Sequence, residues 1–178
     1  MKAEKASNIM RKIKIEKITL NIGAGVEVER IDKAAVLLER ITGRKIVRTK
    51  AKRRIAAWKL RPGLPIGVKI TVRGQEAEEI LVRMLKATNY ELPETCYTQD
   101  GLTFGVPEYI DIPDVKYDPK IGIIGLNVSV TLIRPGFRVK NRRLKKGKIP
   151  ARHRISADEV KKFMEKKFSV KPKEEMKW

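Results

Sequence analysis

The side chains best suited to chemistry in this sequence are lysines and arginines, which bind phosphate. Between Arg40 and Gln75 there are 12 Lys or Arg in 36 residues and no Asp or Glu. A second run without acids, Pro119 to Ala157, has 11 basic residues in 39. Each cation that neutralises a nucleic-acid phosphate releases a counterion, whereas a protein partner seldom needs so dense a positive field. The charge pattern therefore predicts a nucleic-acid partner.

The stretch between the two basic runs, Glu76 to Asp118, has the opposite sign. It contains 10 acidic and three basic residues, a net charge of −7 in a chain whose net charge is +20. Acidic side chains repel phosphate, so this stretch is not expected to meet RNA. Two alternatives remain open: an ordinary solvated face, or a surface that meets a basic protein.

Residues that could support catalysis or bind a metal are few. His153 is the only histidine and Cys96 the only cysteine, so neither a zinc site nor a nucleophile dyad can be assembled. The sequence Gly23-Ala24-Gly25 is an isolated G-x-G without the rest of a dinucleotide fingerprint. We therefore expect no enzyme activity, no cofactor and no metal. An RNA-processing factor and a basic chromosomal DNA-binding protein remain as alternatives to an RNA-binding scaffold.

Alternation of apolar and polar residues predicts the strands. The pattern is clear in Ile18–Gly23, Ile66–Arg73 and Ile124–Leu132, and weaker in Ile46–Lys50 and in Phe104–Ile112, which Pro107 interrupts. Apolar stripes predict three helices. They cover Ile31 to Ile41, with Gly43 as the expected end, Ala77 to Leu85, and Val160 to Phe168 after a capping box that starts at Ser156.

These elements predict an α+β fold with an antiparallel or mixed sheet of about five strands and helices packed on one face. A length of 178 residues with 42% apolar content favours a single domain, residues 1–178. The longest apolar stretch, Ile121 to Ile133, is too short and too polar to span a bilayer, so no membrane partner is expected. The sequence contains no apolar heptad pattern, so no homo-oligomer is expected.

The face of the sheet that lacks helices is predicted to be polar and cationic. It carries Thr19, Asn21, Lys69, Thr71, Arg73, Asn127, Ser129 and Thr131. Because it has no aromatic residue, stacking of unpaired bases is not its expected main mode of binding. Contacts to the phosphates, 2′-hydroxyls and groove edges of folded RNA fit better.

Two basic segments extend the predicted surface. The first is the basic loop, residues 49–65, which is too long for a hairpin turn and is expected to order only against an anion. Trp58 in this loop either packs on the domain or stacks on a nucleotide. Its candidate RNA-binding residues are Lys50, Lys52, Arg53, Arg54, Trp58, Lys59 and Arg61.

The second basic segment is the basic arm before the last helix, within a C-terminal extension of residues 138–178. His153 lies among basic residues there, where a phosphate contact or a solvated position is favoured over proton transfer. The candidate residues of the basic arm are Arg138, Arg142, Arg143, Lys145, Lys146, Arg152, His153 and Arg154.

Several segments closely resemble the large-subunit ribosomal protein five family, the proteins that bind 5S rRNA. They are residues 17–25 (KITLNIGAG), 41–45 (ITGRK), 49–52 (TKAK), 61–74 (RPGLPIGVKITVRG), 104–108 (FGVPE) and 112–118 (IPDVKYD). The resemblance keeps their order and spacing over nearly the whole chain. Residues 138–168, which include ARHRIS at 151–156, are similar to the archaeal and eukaryotic branch. With a composition that leans thermophilic, the archaeal branch is favoured.

The resemblance implies a cytoplasmic protein of the large ribosomal subunit that ties 5S rRNA to the central protuberance. In the family the open sheet face holds 5S rRNA, and the matching positions are Asn21 and Thr71, with Lys69 and Arg73 beside them. Thr19 joins these candidate rRNA-binding residues through its place on the same face. A third position, usually glutamine, is Arg44 here, and a guanidinium cannot accept a hydrogen bond as an amide can. Arg44 is therefore expected to contact a phosphate or a base acceptor.

The resemblance also implies further partners. The basic loop would lie near the elbow of the peptidyl-site tRNA, and the region from Glu94 to Phe104 would contact a small-subunit head protein. Large-subunit rRNA and other proteins of the central protuberance complete the expected set. The contact with a small-subunit head protein would give the acidic stretch a basic protein partner.

Overall fold

In the computed structural model, which describes residues 8–173, helices cover one face of an antiparallel sheet. The strands are β1 Lys14–Gly23, β2 Val47–Lys50, β3 Pro65–Val72, β4 Glu91–Pro93, β5 Tyr97–Thr98, β6 Gly101–Val106, β7 Leu126–Ile133 and β8 Lys171–Lys173. The α-helices are α1 Val28–Thr42, α2 Gln75–Ala87, α3 Arg138–Asn141 and α4 Ala157–Phe168.

The main sheet has six strands in the order β2-β3-β1-β7-β6-β5, and every neighbouring pair is antiparallel. β4 and β8 form a separate parallel pair that joins the chain after α2 to the chain after α4. The predicted α+β class is confirmed, with six strands in place of about five. The alternation rule missed β5 because a strand of two residues, Tyr97 and Thr98, is too short to show a period.

The core lies between the sheet and the helices because one face of each central strand is apolar. Ile18, Leu20 and Ile22 of β1 are buried and alternate with partly exposed polar residues. α1 packs on β3 and β1, α2 packs on β1, and α4 packs on β5 and β6. No helix of residues 8–173 packs on the opposite face of the central strands.

The predicted ends of the helices are confirmed where a local signal was present. Gly43 caps α1 in the left-handed conformation at φ 64°, and its N–H donates to Glu39 O at 2.7 Å. The capping box of α4 is complete, because Ser156 Oγ accepts from Glu159 N while the Glu159 carboxylate accepts from Ser156 N. Both devices satisfy backbone groups that a helix leaves unpaired at its ends.

The strand expected over Phe104–Ile112 was wrong in its second half. β6 ends at Val106, and residues Tyr109–Asp111 form a 3-10 turn. Pro107 has no N–H to donate to a ladder. In addition, a Cβ at Gly125 would lie 2.6 Å from Pro107 O, so the two backbones meet there at a distance that only glycine permits.

Within residues 8–173, no helix is long and apolar enough to cross a membrane.

Candidate nucleic-acid interface

Polar side chains on the open face of the sheet form continuous rows across four strands. Thr19 of β1 is paired with Thr71 of β3 on one side and with Ser129 of β7 on the other, and Ser129 is paired with Thr103 of β6. Adjacent strands lie about 4.8 Å apart. Hydroxyl groups therefore follow one another across the sheet, and Thr103 Oγ1 lies 3.4 Å from Ser129 Oγ.

A second row runs beside the first. Asn21 of β1 is paired with Lys69 of β3 and with Asn127 of β7, and Asn127 is paired with Gly105 of β6. The two rows together supply hydroxyls, carboxamides and one ammonium. Hydroxyls and carboxamides both donate and accept hydrogen bonds, which suits ribose 2′-hydroxyls and base edges better than phosphate alone.

A shallow cavity of about 460 Å³ lies at one end of this face, where side chains are small. Asn21 and Asn127 line it together with Gly23, Gly105 and Gly125. No atom lies within 4 Å of a Cβ built on Gly23, so the floor is open there. Missing side chains let another backbone approach closely, and the flanking carboxamides can then bond to it.

Two arginines predicted to bind RNA are paired with carboxylates of the same chain. Arg73 follows the end of β3, and its Nη1 lies 3.0 Å from Glu16 Oε1. Arg44 follows the cap of α1 and is paired with Glu76 in the first turn of α2. The structure therefore gathers Thr19, Asn21, Lys69 and Thr71 in the two rows, whereas Arg44 and Arg73 lie outside the rows. RNA contacts by these two arginines stay a prediction, because each must leave or share its carboxylate to bind a phosphate.

Other arginines of the first basic run are paired in the same way. Arg40 Nη2 lies 2.8 Å from Asp118 Oδ2, and Arg48 Nη2 lies 2.6 Å from Asp32 Oδ1. A hydrogen bond from the backbone N–H of Lys120, with one from Arg40, holds the pKa of Asp118 below its ordinary value. The two exposed pairs join α1 to the loop at Asp118 and β2 to α1.

The backbone of the basic loop folds back on itself, and the expectation that the loop orders only against an anion stays a prediction. Ile55 and Leu60 exchange both backbone hydrogen bonds across a short 3-10 turn, Ala56–Trp58. At the base of the loop, Ala51 N donates to Leu64 O at 2.8 Å. Buried Ala51 and Leu60 anchor the loop to this pairing.

All predicted RNA-binding side chains of the basic loop are exposed. Trp58 is 67% exposed, so it does not pack on the domain. The exposed cations are Lys50, Lys52, Arg53, Arg54, Lys59 and Arg61. Among the two alternatives for Trp58, the exposed position leaves the ring available to stack on a nucleotide.

The basic arm is held by a residue that the sequence patterns did not single out, Arg134. Its side chain is only 4% exposed, and Nη2 lies 2.7 Å from Glu159 Oε1. Nη1 donates to the carbonyl oxygens of His153 at 3.3 Å and of Arg154 at 3.1 Å. One signal could have identified it: position 134 continues the alternation of buried residues from Leu126 through Leu132 of β7.

The carboxylate of Glu159, which pairs with Arg134, is stabilised in its charged form. Partial burial by itself raises the pKa of Glu159, but hydrogen bonds from Ser156 N–H and Arg134 outweigh it and lower the net pKa. Glu159 therefore serves both as the capping residue of α4 and as the partner of the buried guanidinium. One side chain couples the start of α4 to the backbone of the basic arm.

His153 does not lie on the exposed cationic surface that was predicted for it. The ring is half-buried, with Nε2 3.0 Å from Pro135 O and its centroid 5.7 Å from that of Phe137 in an edge-on arrangement. It therefore packs the arm against the turn after β7. The remaining predicted arm residues are exposed, namely Arg138, Arg142, Arg143, Lys145, Lys146, Arg152 and Arg154.

The acidic stretch meets basic residues of the same chain. Lys167 Nζ lies 2.6 Å from Glu78 Oε1, and Lys161 is paired with Glu94. The hydrogen bond from Lys161 lowers the pKa of Glu94 and raises that of Lys161. Part of this stretch is thus the docking surface for α4. Neither a purely solvated face nor a purely external partner describes it.

No group of three or more His, Cys, Asp or Glu side chains suited to a metal ion occurs within residues 8–173.

Comparison with known proteins identifies the same family along nearly the whole chain. Residues 8–61 match the family model described as ribosomal protein L5, and residues 65–170 match the companion model for the C-terminus of that ribosomal family.

Archaeal relatives extend the match. The large ribosomal subunit protein uL5 of Nanoarchaeum equitans is 51% identical over 162 residues, 90% of this chain and 96% of that protein. The protein of the same name from Sulfurisphaera tokodaii is 47% identical, over 92% of this chain and 93% of its own length. That of Sulfolobus acidocaldarius is 43% identical, over 96% of both chains. Matches of this length include the C-terminal extension, which agrees with the expected archaeal branch.

Proposed function

This chain belongs to the ribosomal protein L5 family, and from that premise we propose that it holds 5S rRNA on the open face of its sheet. Membership makes it a structural constituent of the large ribosomal subunit and not an enzyme, and its expected place in the cytoplasm follows. The finer assignment to 5S rRNA rests on the chemistry of the face.

The observation that carries the proposal is the pair of polar rows. Asn21 and Thr71, the two positions matched to the family's contacts, are diagonal neighbours on adjacent strands with an offset of two residues, since Asn21 is paired with Lys69 and Thr19 with Thr71. Their groups both donate and accept, and Lys69 adds a charge for phosphate. A folded RNA offers 2′-hydroxyls, base edges and phosphates at one groove surface.

We propose that the other cationic segments take the neighbouring partners. The exposed tip of the basic loop suits the peptidyl-site tRNA, because its cations and Trp58 are all accessible. The exposed cations of the basic arm suit large-subunit rRNA. Contacts with other central-protuberance proteins and with a small-subunit head protein near Glu94 to Phe104 complete the proposal, together with a monomeric state.

We also propose that residues 1–178 act as one RNA-binding domain. One cluster of buried side chains joins the sheet, the three long helices and the basic arm. The two family models meet between residues 61 and 65, yet strands on both sides of that point share one sheet. Residues 1–7 and 174–178 lie outside the described part of the chain.

Substitution of the matched positions tests the sheet-face proposal. Asn21→Ala and Thr71→Ala should each weaken binding to 5S rRNA about threefold to tenfold, because each removes a hydrogen bond worth about 0.5–1.5 kcal/mol. Thr95→Ala is the matched control, since Thr95 is exposed and lies outside the rows. Affinity is measured by titration, and the free energy of unfolding is measured alongside. Unchanged affinity in both face variants would reject the proposal.

A further inference from the structure

The basic arm encloses a cavity of about 380 Å³ against the turn that precedes β6. Its walls combine three kinds of group. Four cations line it, Lys140, Lys146, Lys148 and Arg154, together with the apolar side chains of Phe137 and Ile149 and the carboxylate-bearing Asp100. We call this cavity the arm pocket. Its volume lies within the range of about 300–1,000 Å³ typical of small-ligand sites.

The shape of the arm pocket is set by the fold of the arm. Gly147 N donates to Val139 O at 3.2 Å, and Arg142 Nε donates to Lys145 O at 2.7 Å, so the chain turns back on α3. Lys145 takes the left-handed conformation, φ 50°, in this turn. On the far side, Asp100 Oδ1 accepts from Ile155 N at 3.2 Å. The walls are therefore tied both to one another and to the sheet.

The combination of cations, apolar side chains and a carboxylate limits the kinds of ligand that fit the arm pocket. Four cations fit a phosphate, but a site for a simple anion gains nothing from a carboxylate, which repels it. The apolar wall formed by Phe137 and Ile149 suits the face of a base. A carboxylate accepts hydrogen bonds, and a nucleotide offers as donors its 2′-hydroxyl, the exocyclic amino group of adenine, cytosine or guanine, and the ring N–H of guanine or uracil.

We propose that the arm pocket takes one unpaired ribonucleotide of an RNA strand. Its phosphate meets the lysines, its base lies against Phe137 and Ile149, and Asp100 accepts from the exocyclic amino group of the base. The inference rests on the proposed function only in taking RNA as the polymer, and it does not involve the polar rows of the sheet. The proposal gives the basic arm one specific contact with RNA in addition to its general electrostatic attraction.

Short single-stranded RNAs test the proposal on the full chain. Tetra-adenylate and tetra-uridylate are titrated in about 0.15 M salt, where nonspecific attraction is partly screened. Lys146→Ala with Lys148→Ala should weaken tetra-adenylate binding about tenfold, as expected for two lost charge-assisted contacts. Lys33→Ala with Lys116→Ala removes the same charge at two exposed positions outside every proposed site, and should change affinity less than about twofold. Equal losses in the two double variants would overturn the proposal.

Asp100→Asn gives the sharper readout. The carboxamide oxygen can still accept from Ile155 N, so the arm keeps its anchor. The wild type should prefer tetra-adenylate to tetra-uridylate, because adenine donates to the carboxylate whereas uracil presents a carbonyl there. The variant should lose most of this preference, since an amide can also donate. If Asp100→Asn instead strengthens both oligonucleotides equally, the pocket is a simple anion site and the proposal fails.

The two proposals fail separately. The sheet-face test is read with 5S rRNA and Asn21→Ala, and the arm-pocket test is read with tetranucleotides and Asp100→Asn. If the protein discriminates adenine from uracil at the arm pocket while Asn21→Ala keeps full affinity for 5S rRNA, the arm-pocket proposal stands and the sheet-face proposal is rejected. If Asn21→Ala weakens binding to 5S rRNA while the protein shows no preference for adenine, the sheet-face proposal stands and the arm-pocket proposal is rejected.

Discussion

The two acid-free runs of the chain have similar charge and use it differently. In the first run, Arg40, Arg44, Arg48 and Arg73 form surface ion pairs with carboxylates of the same chain, whereas the cations of the basic loop are exposed on its tip. In the second run, one buried cation, Arg134, fixes the backbone of the arm, while seven predicted arm residues stay exposed. Charge density thus indicates the class of partner. The fold decides which cations can reach it.

Among the substitutions that test this comparison, Arg134→Met should have the largest effect on the free energy of unfolding. It removes a buried guanidinium that bonds to Glu159 and to two backbone carbonyls, so we expect a loss of about 2–4 kcal/mol in the free energy of unfolding. Denaturant titration measures the loss, and hydrogen exchange at Ile155 reports release of the arm. The exposed Arg138→Met on the same arm is the control and should cost less than about 0.5 kcal/mol. Equal costs would remove the distinction between the two kinds of cation.

Two fourfold variants compare the cations of the first run directly. Replacing Lys52, Arg53, Arg54 and Lys59 by Ala should reduce the slope of log affinity for tRNA against log salt by up to about 3, because each phosphate contact contributes about 0.7–0.9. Replacing Arg40, Arg44, Arg48 and Arg73 by Ala removes the same charge. We expect a smaller change of slope, since these side chains are paired with carboxylates, and little change of melting temperature, since exposed ion pairs contribute little stability. An equal change of slope in both variants would show that the paired arginines also bind RNA.

Acid should weaken the anchoring of the arm through Glu159. Its pKa is lowered in the folded chain, so its contribution to stability is complete above the ordinary glutamate pKa of about 4.3 and is lost as pH falls through the lower folded value. Because the carboxylate is partly exposed, the contribution is under about 1 kcal/mol. Unfolding measured between about pH 6 and 3 should show a shallower loss in Glu159→Gln. An identical pH dependence in the variant would refute this assignment.

The surface pair between Lys161 and Glu94 should have the smallest effect. Both side chains keep contact with solvent, and exposed ion pairs seldom contribute measurable stability. A double-mutant cycle with Lys161→Met and Glu94→Gln should give a coupling energy well below the cost of Arg134→Met. A coupling of similar size would mean that α4 docks by charge on the acidic stretch and not mainly through its apolar face.

Much of the open face could be predicted because the period of a strand assigns each side chain to a face. Alternation in β1, β3 and β7 placed Thr19, Asn21, Lys69 and Thr71 on the side opposite the buried residues. Local signals likewise predicted the end of α1 at Gly43 and the start of α4 at Ser156. Each of these inferences needs only neighbouring residues.

Apart from the strand that Pro107 ends and the two-residue strand β5, the features that were missed involve partners that are distant in sequence. Arg40 meets Asp118 across 78 positions, and Arg134 meets Glu159 only because α4 returns to the sheet. His153 was interpreted from its basic neighbours, yet the turn after β7 brings Pro135 and Phe137 to its ring. Charge and spacing along the chain contain no information on these approaches, which depend on the packed fold.

The most direct test of the sheet-face account is a comparison of three ligands with the purified chain. Binding to 5S rRNA, to an unrelated folded RNA of equal length and to duplex DNA is measured from about 0.1 to 0.5 M salt, where purely electrostatic affinity falls steeply. Tight binding that persists at high salt only for 5S rRNA is the expected result, because the polar rows add hydrogen bonds that salt does not screen. Equal and equally salt-dependent binding to all three would contradict the account and favour a general polycation such as a chromosomal DNA-binding protein.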